Sequence, residues 1–132
     1  MERSTEIQTA LYTRLSTDLG LIALVGAGVY DDVPQESAYP YIVIGDDTTN
    51  TDDTQTYLGT RSTMTIHTWS RYSGKIECKT IMKAIYDALH REPLTLSAGT
   101  NWELLLDFED TFMDTDGETR HGVQRFKIFT TR

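Results

Sequence analysis

Four aspartates in one polar stretch, Asp46, Asp47, Asp52 and Asp53 of DDTTNTDDTQTYLG, form a set of hard oxygen donors, and hard oxygen donors are what calcium takes. Their spacing does not make a calcium loop: no glycine stands at the sharp turn, and no glutamate closes the run where a bidentate ligand is needed. Asp107, Glu109 and Asp110 could imitate paired catalytic carboxylates, but strand alternation sends two of the three to an outward face, where they are solvated. His67, His90 and His121 are 23 and 31 residues apart, with no carboxylate or cysteine at ligand spacing, so they read as satisfied or solvent-facing side chains. Cys78 is the one cysteine; it cannot close an internal disulfide, and its helical position makes it a buried, inert thiol. A nucleophile needs a base within reach, and none of the motifs that deliver one is present: no G-x-S-x-G, phosphate loop, dinucleotide glycine pattern or H-E-x-x-H. The sequence predicts no enzyme, no cofactor and no metal site.

Charge is the next source of chemistry. The 132 residues carry a formal net charge of −8, unevenly placed. Residues 1–60 hold ten acids against Arg3 and Arg14, whereas residues 61–91 hold six bases against Glu77 and Asp87. The balance argues against phosphate-backbone binding by a single copy, which needs a basic footprint. It allows an acidic face on one copy to meet a basic face on another. Lys75, Lys79 and Lys83 recur every fourth residue and share one helix face, while Asp31, Asp32, Asp46, Asp47, Asp52 and Asp53 supply the acids. Tyr57, Arg61, Trp69 and Arg71 complete the candidate interface, since Trp, Tyr and Arg are enriched in binding hot spots. For Trp69 and Arg71 the plainer alternative is local: Trp69 packs over a helix start and Arg71 pairs with a nearby acid.

The elements that must position these groups fit one domain over residues 1–132, a length that buries a single core. No apolar run approaches the ~20 residues that cross a bilayer, and no basic segment followed by an apolar one trails Met1, so we expect no membrane partner. Thr5–Asp18 reads as a helix, with Thr5 and Gln8 as a capping box, Ile7, Ala10, Leu11 and Leu15 as its stripe, and Gly20 as a left-handed stop. Leu21–Val25 adds about a turn. A short strand at Val29–Tyr30 leads through Pro34 and Pro40, which bias the residues before them towards extended backbone, into the apolar strand Tyr41–Ile44. Asp46–Gly59 is expected to project as a long polar loop or hairpin tip. Arg61–Trp69 alternates as a strand; a helix opening at Ser73 or Gly74 carries Cys78, Ile81, Met82, Ile85 and Leu89 inward and ends before Pro93. From Asn101 a strand should face Trp102, Leu104, Leu106 and Phe108 inward, with Leu105 the exception. Asp116 and Gly117 signal a hairpin into the last strand, where Phe126 and Ile128 oppose Arg125, Lys127 and Phe129. The expected fold class is α+β: a roughly four-stranded antiparallel sheet, two main helices on one face, and a projecting polar loop.

Three stretches taken together, VYDDVPQESAYPYIVIG from Val29 to Gly45, WSRYSG from Trp69 to Gly74 with the helix after it, and RHGVQRFKIF from Arg120 to Phe129, carry a resemblance. In this order and spacing the chain resembles the tail terminator, or tail completion, family of long-tailed bacteriophages. The matching positions are Tyr30, Pro34, Tyr39, Pro40, Tyr41, Gly45, Trp69, Ser70, Arg71, Gly74, Gly122 and Phe126, most of which set turns and core. The resemblance implies a virion structural protein, made in the bacterial cytoplasm and located at the head-tail junction. It further implies a ring, hexameric, touching the tail tube protein and the head connector or stopper, with genomic DNA passing through its channel without specific binding. Another neck component, or a small calcium-binding or hydrolytic domain using the Asp-rich loop, are the alternatives.

Overall fold

The computed structural model describes residues 3–132. Three helices and five strands follow in the order α1 (Arg3–Thr17), α2 (Leu19–Val25), β1 (Val29–Tyr30), β2 (Tyr41–Thr51), β3 (Gly59–Ser70), α3 (Ile76–Leu89), β4 (Thr100–Met113) and β5 (Arg120–Thr131). The sheet order is β1-β2-β3-β5-β4. β1 runs parallel to β2, and all other pairs are antiparallel. The α+β class stands, but the sheet is mixed and five-stranded, not four-stranded and antiparallel. The short strand at Val29–Tyr30 enters by the long connection through Pro34 and Pro40, and a connection of that length permits a parallel neighbour where a tight hairpin does not.

β3 is the middle strand, and its two-residue period divides the molecule. Ser62, Met64, Ile66 and Thr68 are buried on the helix side, beside Phe126 and Ile128 of β5 and Leu104 of β4. Ile7, Leu11 and Leu15 of α1, Leu21 of α2, and Ile81, Ile85 and Leu89 of α3 close that core. α1 lies over β1 and β2; α3 lies over β3, β5 and β4. Arg14 joins the two helices: its guanidinium donates to the carbonyls of Ala88, Glu92 and Pro93 at 2.9–3.0 Å, satisfying acceptors that the end of α3 leaves open.

Several local expectations change. Thr5 sits inside α1, where its carbonyl accepts from the Thr9 hydroxyl, so it does not cap the helix with Gln8. Gly20 lies within α2 and does not stop α1; the break falls at Asp18, whose carboxylate caps α2 through the Leu21 amide at 3.0 Å. The positive-φ stop is Gly26, at φ 60°. α3 begins after Lys75 instead of at Ser73 or Gly74, and no side chain caps it. Asp46–Gly59 does not project alone. β2 runs on to Thr51, β3 resumes at Gly59, β5 pairs with β3 to the end of the hairpin, and β4 pairs with β5 alongside. Only the turn between them is irregular, and it folds back where the Arg132 amide donates to Leu58 O.

The largest correction is in β4. Trp102 and Phe108 are 60% and 43% exposed, not inward. Bulges between Asn101 and Glu103 and between Leu106 and Phe108 shift the register, and each extra residue reverses which face the next side chain takes. Asn101 fixes the first bulge: its buried amide donates to Glu103 O and Phe129 O and accepts from the Leu94 amide, all within 2.9 Å.

Gly122 lets α3 approach β5 this closely. A Cβ there would lie 2.9 Å from Cys78 Sγ and closer still to Met82 Sδ. Gly122→Val should lower unfolding free energy by about 1–3 kcal/mol through overpacking, read as a reduced denaturant midpoint with an unchanged m-value.

Candidate subunit interface

Among the described residues, no helix or second sheet covers the face of the sheet opposite the helices, and its side chains follow from register alone. Tyr41 pairs with Trp69, Trp69 with His121, and His121 with Phe112. One aromatic row therefore crosses β2, β3, β5 and β4. His121 lies flat on Trp69, ring centroids 3.7 Å apart and planes 13° apart, and Phe112 tilts against it at 4.8 Å. His67, one step along β3, brings Nδ1 to 2.7 Å from His121 Nε2. Burial lowers the pKa of both imidazoles from the ordinary value; Asp46 opposes this at His67 and Asp114 at His121, while the neighbouring His67 lowers His121 further. The β2 bulge between Ile44 and Asp47 makes room, for a Cβ on Gly45 would come within 2.6–2.7 Å of the His67 ring.

At the β1 end the row continues into a tyrosine group. Tyr30 and Tyr39 pack on Tyr41 with centroids 5.9 and 4.9 Å away. Burial, then the Tyr39 hydroxyl, push the Tyr41 hydroxyl up to about 12. Arg71 stacks on Tyr39 at 4.3 Å, donates to the Thr119 hydroxyl at 3.1 Å, and lies 3.8 Å from Asp116. The local reading of Arg71 holds: it pairs with a nearby acid, and in doing so it stands fixed beside the tyrosines. Trp69 does not pack over the α3 start; that junction is tied by Ser70, whose hydroxyl donates to Glu77 at 2.6 Å.

The charged candidates separate into engaged and unengaged groups. Asp47 accepts from Ser4, Asp52 pairs with Arg61 at 2.7 Å, and Asp53 accepts from the Gly59 amide. Arg61 also stacks on Phe129, against which Tyr57 packs edge-on. Lys83 is paired with Asp87 at 2.7 Å. Asp31 and Asp32, just after β1, are exposed, as are Lys75, at the N-cap of α3, and Lys79, beside β4. Lys79 and Lys83 border a cleft of about 500 Å³ between α3 and β4, floored by Met82 and Leu106. Among the described residues no three His, Cys, Asp or Glu side chains gather on one point. His90, read as satisfied or exposed, accepts from the Leu106 amide and stacks on Tyr86. Burial pushes the Cys78 thiol up to about 11, the behaviour of an inert core cysteine.

A family profile described as tail completion protein gp17 matches residues 9–131. The chain belongs to that family. It is 29% identical over 125 residues to the tail completion protein gp17 of Bacillus phage SPP1, covering 95% of this chain and 92% of the relative. Among solved structures, a chain in the virion of a native gene transfer agent particle superposes with a TM-score of 0.91 at 25% identity, over 98% of this chain and 97% of that one. The structure of bacteriophage SPP1 gp17 superposes with a TM-score of 0.64 at 25% identity, over 97% and 91%. Membership makes this a structural protein of the virion tail and not an enzyme. The uncovered face carries Trp69, Tyr41 and Arg71, of the residue types enriched in binding hot spots.

Sequence reasoning placed Trp69 and Arg71 here but missed Tyr41, His67, Phe112 and His121. Outward strand parity marks His67 and Trp69; only the register places His121 beside them.

Asp116 holds the turn against which Arg71 is set. The Thr119 hydroxyl, then the Thr119 and Glu118 amides, bring its carboxyl down to about 2. A folded-state pKa below the unfolded 3.8 stabilises above the unfolded value and is lost as pH falls through the folded one. Melting temperatures measured from pH 5 to pH 2 should therefore decline less in Asp116→Asn than in the wild type.

Proposed function

We propose that copies of this chain close head to tail into a ring, hexameric, on the head-proximal end of a tail tube. There the ring ends tube growth and joins the tail to the head connector or stopper, while genomic DNA passes through without specific binding. The observation that carries this reading is the superposition, over nearly the whole chain, on a chain of an assembled particle, together with family membership.

The surface chemistry supports a heterologous contact. A closed ring needs two different patches on each copy. The two sides of this sheet differ: Asp31 and Asp32 follow β1, whereas the exposed Lys75 stands at the N-cap of α3 and the exposed Lys79 lies on it, and α3 packs over β3, β5 and β4. Opposite charge on opposite sides steers copies into one orientation. Lys83 contributes less than its spacing suggested, because Asp87 already neutralises it. Likewise Asp52 and Asp53 are held within their own hairpin and Asp47 by Ser4 of α1, which leaves Asp31, Asp32 and Asp46 as the acids for a neighbour. Acids turned to the channel repel passing DNA.

The double reversal Lys75→Glu with Lys79→Glu should weaken self-association by about tenfold or more, the equivalent of about 1.4 kcal/mol, with the melting temperature unchanged. Mixing it with Asp31→Lys, Asp32→Lys should restore mixed rings, read by sedimentation velocity and by negative-stain images of tail ends. Rings that form undiminished from the lysine variant remove this interface; label for the protein away from the head-proximal tail end removes the terminator role.

A further inference from the structure

His67 on β3 and His121 on β5 meet diagonally across the uncovered face, Nδ1 to Nε2 at 2.7 Å. A contact this short needs one nitrogen to carry hydrogen and the other to offer its lone pair. The pair therefore accepts one added proton and not two. The first has a seat. An imidazolium at His121 faces the indole of Trp69, 3.7 Å away and nearly parallel, and its Nε2–H donates to Nδ1 of His67; a cation over an indole face is favourable. The second proton must go onto Nδ1 of His67, placing hydrogen against hydrogen and charge against charge.

The surroundings leave little room for adjustment. His67 cannot withdraw towards β2, because its ring already occupies the space a Cβ on Gly45 would need. Phe112 closes the other flank of His121. The charged groups acting on the pair are Asp46, from the β2 bulge, and Asp114, from the turn after β4; burial outweighs both. Trp69 and Phe112 bring no charge, and the hydroxyl of Tyr41, Trp69's partner on β2, stays neutral to about 12.

We propose that the His67 and His121 pair is a proton-operated latch on the uncovered sheet face: with one proton or none it clamps β3 to β5 and holds Trp69 flat, and a second proton releases both. Since burial disfavours the charged rings in the folded chain, the unfolded chain binds more protons as pH falls below about 6.5, and stability declines with it.

Trp69 and Trp102 are the two tryptophans, so Trp102→Phe leaves Trp69 as the sole indole reporter. The full chain is titrated from pH 8 to pH 4, following histidine ring nitrogens by ¹⁵N NMR alongside Trp69 fluorescence and melting temperature. The latch requires two steps for the pair, separated by more than about one pH unit, with the fluorescence change and the fall in melting temperature accompanying the second. His121→Phe keeps an aromatic ring on Trp69 and should abolish the Trp69 step and flatten the pH dependence of melting. Two independent steps near 6.5 with an unmoved Trp69 signal overturn the latch, as does a wild-type pH dependence in His121→Phe. If that variant does not fold, the titration of the His67 and His121 nitrogens decides alone.

Discussion

The unbroken pairing of β3 with β5, from Gly59 opposite Thr131 to Ser70 opposite Arg120, is the constraint on which the rest of the structure depends. A strand places alternate residues on alternate faces, so a slip of one residue would carry Met64 and Ile66 out of the core and His67 and Trp69 into it. Phe126 and Ile128 must share the helix side with Met64 and Ser62, which excludes a one-residue slip, and in the observed register they pair with them directly. That register sets His121 against Trp69 and Gly122 under α3. The core and the uncovered face are two readings of one alignment, and no residue on either can be positioned independently.

β2 and β4, which flank this pair, depart from regularity where β3 and β5 do not. The β2 bulge at Gly45 and Asp46 falls where His67 needs room, and the β4 bulges fall at Trp102 and Asp107. In β4 the extra residues bring Phe108 onto the uncovered face, where Arg125 stacks on it at 4.8 Å. Bulges also twist an exposed edge and discourage indiscriminate pairing. β4 is the long free edge of the sheet, and its irregularity protects it while the regular strands carry the register.

Much of this was legible in the sequence wherever a local period decides the outcome. The α3 stripe Cys78, Ile81, Met82, Ile85 and Leu89 is buried as its spacing requires, and the alternation in β3 and β5 assigns faces correctly. Asp116 and Gly117 mark the β4–β5 turn, and Gly117 takes the expected positive φ of 72°. What the sequence concealed depends on distant partners. Trp102 was misplaced because the bulge before Glu103 is fixed by Asn101 reaching Phe129 O. Thr5 was misread as a cap because a capping pattern carries no information about turns already formed upstream of it. The aromatic row was invisible for the same reason: Trp69, Phe112 and His121 are neighbours through pairing and not through sequence. The family resemblance, by contrast, rests on ordered local signatures, so it survived the errors in β4.

The two kinds of surface chemistry on this chain suit different steps of the proposed assembly. Lys75 and Lys79 are exposed ammonium groups on flexible stems; ordering them in a contact costs side-chain entropy, and their attraction is screened by salt. They are effective at range, orienting an approaching neighbour and raising the rate of encounter. Trp69 and Arg71 are already ordered, the one stacked on His121 and the other held by Tyr39, Thr119 and Asp116. A side chain fixed before binding has little freedom left to lose, so its buried area is expressed more fully as affinity. In the ring we propose, charge governs how copies meet, and the preset aromatic row governs how long they stay together. A ring of the proposed kind, formed once and persisting under the passage of DNA, depends more on the second.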